Sequence, residues 1–260
     1  MSSPEANAPE PGRRTGPSRR LLVGFGLLAF LIVILVTAPA GVVARAVALA
    51  TPQVRLLAPS GSLWHGSADL FVDARPCGRL AWEVRPGRLL QARLAADARL
   101  EAPGHVLTGR VALAPDGSLE LSGLAGRVDE RTLGAVLAPY DIDPAGEIVL
   151  TDGDAVVRDR RLVSASAHAR WSGGAVRYRL AGQNWFATFP PLDAHLDARD
   201  GEPLLVIRDP QQADILDLRI DGDGWAHLRM RYRLAMLAGF PWPDPPTPDT
   251  IVVEVSEQIL

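Results

Sequence analysis

An alternation of apolar and polar residues, recurring along the chain after residue 50, constrains the fold more than any other feature of the sequence. It has a period of two in the segments 80–85, 163–171, 176–180 and 226–234. Because successive side chains of a strand point to opposite faces, each segment predicts a strand with one buried and one solvated face. Turn pairs such as Asp152-Gly153 and Asp221-Gly222 lie between the segments. The pattern predicts a mainly β domain, built as an antiparallel, curved meander.

Short helices and a proline-rich stretch interrupt the predicted strands. Residues 129–137 predict a helix, because an acidic first turn opens them and Pro139 follows. A second helix is predicted around 234–240. The segment 241–248 holds too many prolines for a central strand. We expect residues 241–260 to form a stiff proline-rich connector and a short terminal strand at 251–255.

A charge-free apolar segment precedes the β pattern. No charged residue lies between Arg20 and Arg45, and about 20 apolar residues suffice for a helix to cross roughly 30 Å of hydrocarbon. We therefore predict a single transmembrane helix over residues 19–44, preceded by a disordered tail over 1–18 that is rich in Pro, Ser, Ala and Gly. Four arginines stand before the segment and only Arg45 directly follows it. The positive-inside rule then places the tail in the cytoplasm and the β domain outside.

A cleaved signal peptide is the alternative to the anchor. Ala38-Pro39-Ala40 offers a small-residue cleavage site. The apolar core of a signal peptide is only about 7–15 residues long, however. The greater length of this segment favours an anchor that stays attached.

Composition narrows the functional classes. The net charge is −3, so no nucleic-acid partner is expected. Cys77 is the single cysteine and cannot form an intrachain disulfide; we expect a small buried side chain there. The residues after the anchor suffice for one β domain over 45–240.

Two short sequences resemble each other: Trp64-His65-Gly66 and Trp171-Ser172-Gly173. Each places a tryptophan two residues before a glycine. One hypothesis is that the domain contains two related β layers, with halves at about 54–145 and 146–240. The alternative is chance, because the shared motif is short.

The sequence contains no recognisable catalytic or metal motif. Its five histidines lack the spacing of a zinc site, and no nucleophile elbow or phosphate-binding loop occurs. The segment 141–152 has only part of an EF-hand ligand set and predicts a surface turn. We therefore expect no catalytic residue, no metal and no cofactor, and we disfavour a hydrolase of unfamiliar fold.

The aromatic content is concentrated in six tryptophans, all after residue 60. We expect them to pack in the core, because a tryptophan buries a large apolar area. The alternative is an exposed aromatic groove for a lipid or a partner strand. They are Trp64, Trp82, Trp171, Trp185, Trp225 and Trp242.

Two segments resemble the type II secretion system protein N family. Leu56-Leu-Ala-Pro-Ser-Gly-Ser-Leu-Trp-His-Gly66 is similar to its G-T-L-W-x-G signature. The segment 77–90 is similar to its L-x-W-x-L-x-P-x-x-L pattern. The proline-rich C-terminus fits less well. We expect a structural role for the signature positions, which are Gly61, Leu63, Trp64, Gly66, Leu80, Trp82, Pro86, Leu89, Trp171 and Gly173.

The resemblance implies a non-enzymatic accessory subunit of the type II secretion platform. Such a protein would sit in the bacterial inner membrane as a single-pass protein with a periplasmic domain. Its partners would be other inner-membrane and periplasmic components and, through the anchor, the lipid bilayer. No small-molecule substrate is expected. The alternative is an anchored β-groove protein that binds or transfers lipid along an apolar face.

Overall fold

The computed structural model describes residues 30, 33, 34, 36–87, 93–159, 161–180, 182–199 and 201–258. Its described helices are α1 (Gly41–Ala50), α2 (Glu130–Leu137) and α3 (Tyr232–Leu237). The strands up to residue 144 are β1 (Val54–Gly61), β2 (His65–Val72), β3 (Arg75–Val84), β4 (Leu94–Ala102), β5 (His105–Leu113), β6 (Leu119–Val128) and β7 (Ile142–Pro144). The later strands are β8 (Ile148–Arg158), β9 (Arg161–Trp171), β10 (Gly174–Leu180), β11 (Gln183–Phe189), β12 (Leu192–Arg199), β13 (Glu202–Arg208), β14 (Asp214–Ile220), β15 (Trp225–Arg231) and β16 (Ile251–Gln258).

Most strands belong to one 13-stranded antiparallel sheet, which we call the large sheet. Its order is β1 to β6, β8, β9 and β12 to β16, so nearly every strand pairs with the next one in sequence. The small sheet contains β11, β10 and β7. Short turns favour this arrangement because consecutive strands can pair without a crossover. The predicted mainly β, antiparallel fold is confirmed.

The hypothesis of one β layer in each half of the domain is wrong. Strand β6, from the first half, pairs with β8, from the second, through Leu119 with Val157 and Val128 with Ile148. The large sheet therefore runs through both halves without a break. The second layer is the small sheet, to which β7 contributes from the first half and β10 and β11 from the second. The physical reason is that β8 returns directly to the free edge of β6.

The register of the large sheet separates two chemically different faces. Directly paired residues share a face, and one row runs from β2 to β16 with only apolar residues and one glycine. We call the side that carries this row the apolar face. The row is Ala68, Leu80, Leu100, Leu107, Gly126, Leu150, Ala169, Ala194, Ile207, Leu216, Met230 and Val253.

The neighbouring row lies on the opposite side, the ionic face, and carries eight charged residues of both signs and two valines. Salt bridges join cross-strand pairs, such as Arg170 with Asp193 at 3.8 Å and Arg208 with Asp214 at 2.9 Å. Exposed pairs of this kind contribute only about 0.2–1 kcal/mol each. They keep this face solvated and disfavour other registers. The row is Asp69, Arg79, Glu101, Val106, Arg127, Val149, Arg170, Asp193, Arg208 and Asp214.

The helices differ in how well the sequence anticipates them. Helix α2 begins at Glu130, and the Asp129 carboxylate accepts a hydrogen bond from the Thr132 amide at 3.0 Å, as expected of an N-cap. Helix α3 begins at Tyr232 and ends at Leu237. The strand predicted over 226–234 is therefore wrong for residues 232–234, which are helical. The Tyr232 and Arg233 amides donate to the carbonyls of Thr250 and Pro248 and so leave the strand ladder.

The predicted tail over 1–18 and most of the predicted anchor over 19–44 lie outside the described residues. Residues 30, 33, 34 and 36 are helical, and α1 takes residues 41–50. Among the residues described, no helix combines the length and the apolar character needed to cross a membrane. Cys77, expected to be buried, is half-buried in β3.

Acid should weaken the ionic face at Asp97. Burial raises the pKa of this carboxyl, but hydrogen bonds from Arg85 and Arg110 outweigh it and hold the pKa below its ordinary value. The contribution to stability is therefore present above the unfolded pKa of about 3.9 and is lost as the pH falls through the folded pKa. We expect Asp97→Asn to lower Tm at neutral pH and to converge with the unmodified protein in acid.

The measurement is Tm by circular dichroism across about pH 3–8. The matched control is Asp244→Asn, because Asp244 is exposed and forms no ion pair with the described residues. A constant Tm difference between the Asp97→Asn protein and the unmodified protein at every pH would contradict the assignment.

Candidate functional site

The Trp64–Trp82 region forms a compact core at the β1 end of the large sheet, beneath α1. Its buried members are Ala40, Leu56, Ala68, Trp82 and Val84, and α1 packs onto them through Val43, Ala44 and Val47. Trp82 is 8% exposed, and its indole Nε1 donates to the Leu63 carbonyl at 3.2 Å. Trp64 and Leu80 pack against the same core. We call this group the α1 core.

Two glycines let the backbone pass close to the tryptophans. Gly66 pairs with Trp82 across β2 and β3. A Cβ at Gly66 would lie 2.5 Å from the Trp82 ring, which no side chain tolerates. Gly61 has φ of +90°, and its Cβ would lie 2.4 Å from the His65 carbonyl oxygen. The bend between β1 and β2 therefore requires glycine at both positions.

The structure brings together six of the ten signature positions and separates the others. Gly61, Leu63, Trp64, Gly66, Leu80 and Trp82 all meet at the α1 core. Pro86 follows β3 and is exposed, and Leu89 lies outside the described residues. Trp171 and Gly173 lie at the end of β9, where the Trp171 indole donates to the Ala145 carbonyl at 3.0 Å. The role of these ten residues in the function stays a prediction.

A cavity of about 610 Å³ lies between the β15–β16 end of the large sheet and the small sheet. We call it the apolar chamber. Met230 and Val253 line it from the apolar face, and Val176 and Tyr178 line it from β10. Among the described residues that line it, Arg179 alone is charged. Sequence reasoning missed the chamber because the register of the large sheet decides which apolar side chains meet.

A proline-rich segment borders the chamber, and we call residues 240–250 the strap. Its Phe240 and Trp242 line the chamber, and their rings also contact Trp185 and Tyr232 at centroid distances of 5.2 and 5.6 Å. Arg233 holds the strap: its guanidinium donates to Asp249 at 2.9 Å and also pairs with the buried Asp209 at 3.5 Å. The hydrogen bond that Arg233 donates to Asp249 raises the pKa of Arg233, against the effect of burial.

A second cavity, of about 380 Å³, adjoins the chamber under the small sheet. The two cavities share the side chains of Ile142, Val176, Phe189 and Leu234. Trp171 lines the second cavity, and its ring lies 6.1 Å from that of Phe189. Both cavities are thus parts of one apolar layer between the two sheets.

The side chains of Ser256, His227 and Asp221 are hydrogen-bonded in a row, and these are the residue types of a serine hydrolase. His227 Nδ1 lies 2.8 Å from the Ser256 hydroxyl, and His227 Nε2 lies 3.2 Å from the Asp221 carboxylate. The Asp221 carboxylate also accepts from the Trp225 amide at 3.0 Å, and these bonds lower its pKa. The His227 side chain is 38% exposed, and Ser256 is exposed near the end of β16. These hydrogen bonds connect β16 to β15 and stabilise the turn after β14.

The described residues contain no group of three His, Cys, Asp or Glu side chains that could hold a metal ion. The tryptophans differ in exposure, from buried to exposed. Trp82 is buried in the core, whereas Trp225 is 41% exposed at the start of β15. The remaining four are half-buried.

The α1 core should contribute strongly to stability. We expect Trp64→Ala and Trp82→Ala each to lose about 3–5 kcal/mol, the usual cost of removing a large aromatic side chain from a core. Gly66→Val should be at least as damaging, because its branched side chain would enter the Trp82 ring. Urea denaturation of the full chain measures all three. Gly222→Val is the matched control for added bulk, since its Cβ would meet open space and its φ is not positive.

An unchanged denaturation midpoint for Trp64→Ala would contradict a packing role. It would indicate that Trp64 serves to bind a partner.

Comparison with known proteins identifies the family of the chain. A model of the family described as type II secretion system (T2SS), protein N, matches residues 52–240, which is more than half of the chain. The match begins just before β1 and ends at the first residue of the strap. No curated protein and no solved structure matches the chain. The chain thus belongs to the type II secretion system protein N family.

Proposed function

We propose that the protein is a non-enzymatic accessory subunit of the type II secretion inner-membrane platform, anchored by one helix, whose periplasmic β domain binds other components. Family membership over residues 52–240 is the observation that carries this proposal. The long antiparallel sheet, with an exposed strand at its β16 edge, supports a role in binding. The domain would therefore act by contacting other platform components and holding them in position.

The contacts of residues 38–40 support an anchor that stays attached. The Ala38 carbonyl accepts from the Leu63 amide at 2.8 Å, and Pro39 pairs with Ser62. Ala40 is 1% exposed and donates to the Gly61 carbonyl at 3.2 Å. Cleavage after Ala40 would remove these contacts from the α1 core. The proposed membrane-crossing segment therefore ends close to Thr37 and joins the β domain without a flexible linker.

The outer edge of β16 is the surface that we propose for partner binding. β16 is the last strand of the large sheet and pairs only with β15 among the described residues. It runs from Ile251 to Gln258 without a proline, and Ile251 and Val255 are 42% and 47% exposed. An exposed strand edge presents unpaired amides and carbonyls to which a partner strand can add.

The opposite edge is less suited to strand addition. Strand β1 contains Pro59 and an irregularity between Leu57 and Ser60, and Ala58 has φ of +47°. Proline and bulges are the usual devices that protect an edge. β16 lies outside the matched residues 52–240, so the proposed contact concerns this chain. The exposed Glu254 and Glu257 favour an extended partner segment that carries basic residues.

Lipid binding is the second candidate function, and the apolar chamber is the observation that favours it. An anchored protein with a chamber of about 610 Å³ could hold an acyl chain close to the membrane. The two functions are compatible, because β16 and the chamber present different surfaces of the same end of the large sheet.

Blocking the β16 edge should disrupt partner binding. We expect Val255→Lys to abolish recovery of secretion in a strain that lacks the gene and to prevent co-purification of platform components, because a lysine on the edge disfavours strand addition. Val136→Lys on α2 is the matched control, since Val136 is 64% exposed and lies away from the edge. Tm of both purified proteins shows that they fold.

Full secretion by the Val255→Lys protein would contradict the edge as binding surface. A cysteine at Glu257, in a Cys77→Ser background, gives an independent reading: it should cross-link to a platform component, whereas a cysteine at Val136 should not.

The anchor and its orientation can be tested with reporters. Alkaline phosphatase fused after residue 260 should be active and green fluorescent protein at the same position dark, with the opposite result for fusions before residue 1. The positive flank of the apolar segment is the physical reason. An N-terminal epitope should stay with the mature chain in membranes, and its loss would indicate cleavage.

A further inference from the structure

We infer that the apolar chamber binds the acyl chain of a single-chain anionic amphiphile, whose headgroup lies against Arg179. The inference gives the lipid-binding candidate a site and a ligand class. It does not depend on the proposed role in secretion.

The size and lining of the chamber fit an acyl chain. Protein interiors are close-packed, with few voids larger than a water molecule. A volume of about 610 Å³ is far larger and lies within the roughly 300–1,000 Å³ typical of ligand sites. The side chains that line it from the large sheet and the strap, such as Met230, Val253 and Phe240, are apolar. Such a lining can bury an acyl chain and provides no polar partner for another kind of ligand.

The chamber extends in one direction under the small sheet. Its neighbour, of about 380 Å³, shares Val176 and Phe189 with it and is also lined by apolar side chains, including Trp171. Small side-chain rotations at the shared residues would join the two volumes. A linear chain that continues from one volume into the other would use both cavities.

The charge at the chamber selects the headgroup. Tyr140 lines the chamber and is 71% exposed, so the chamber reaches solvent at this residue. Arg179 also lines the chamber, at the end of β10 next to Tyr178. Its side chain starts on the opposite face of the strand from Tyr178, is exposed, and forms no ion pair with the described residues, so it can reach a headgroup only at the rim of the chamber. Arg177, two residues earlier on β10, instead pairs with Asp143. An unpaired arginine beside an apolar opening suits a carboxylate or a phosphate.

The test uses the full chain in phospholipid nanodiscs, titrated with 9,10-dibromostearate, whose bromines quench tryptophan fluorescence on contact. We expect saturable quenching by dibromostearate, through Trp242 and Trp171, and none by stearate. Ala238→Phe should abolish the saturable quenching, because Ala238 lines the chamber. Met236→Phe on α3 is the matched control: Met236 is 51% exposed and does not line the chamber.

The headgroup is tested separately. Arg179→Gln should weaken binding of dibromostearate about tenfold, as expected for loss of one charge-assisted contact, and Arg177→Gln should leave it unchanged. Unbrominated lysophosphatidylglycerol and stearate should both displace the probe, and their relative potency distinguishes a phospholipid source from a free fatty acid. Equal displacement by stearyl alcohol would overturn the anionic headgroup.

Absence of saturable quenching in the unmodified protein would overturn the inference as a whole. Circular dichroism melting shows whether Ala238→Phe folds; if it does not, Val253→Phe fills the same chamber from β16. Recovery of secretion is measured in parallel. Secretion without quenching would overturn only the chamber ligand, whereas quenching without secretion would overturn only the secretion role.

Discussion

The register of the large sheet is the constraint on which the rest of the structure depends. Pairing from β2 to β16 aligns one apolar residue or glycine from each strand in a single row, and mostly charged residues of both signs in the next row. A shift of one residue at any pair would move a charged row into the apolar face. Cross-strand pairs such as Arg208 with Asp214 therefore matter more for excluding wrong registers than for their small individual energies.

Three different elements cover the apolar face, and each gives the domain a different property. Helix α1 covers the β1 end and buries Trp82, which couples the domain to the predicted anchor. The small sheet covers the middle. The strap, held by Arg233 through Asp249 and Asp209, borders the far end and leaves the chamber unfilled. Trp82 is thus buried under α1, whereas the strap end of the same face holds the cavity where we propose that a ligand binds.

Both proposed binding surfaces lie at the β16 end of the sheet. The edge of β16 offers backbone groups to a partner strand, and the chamber beneath it offers apolar burial to an acyl chain. The family match ends at residue 240, so all of β16 and the strap after Phe240 lie outside the matched residues.

The sequence by itself determined the strand alternation, the α2 helix with its Asp129 cap, and the family, because these depend on local periodicity and on short motifs. It also singled out Trp64, Trp82 and Gly66, which the structure brings together. Only the tertiary structure decided that both halves share one sheet, that the chain leaves β15 at Tyr232, and that a chamber separates the two sheets. The physical reason is that alternation specifies which face a side chain joins, whereas pairing between distant strands and the packing of the small sheet specify what that face meets.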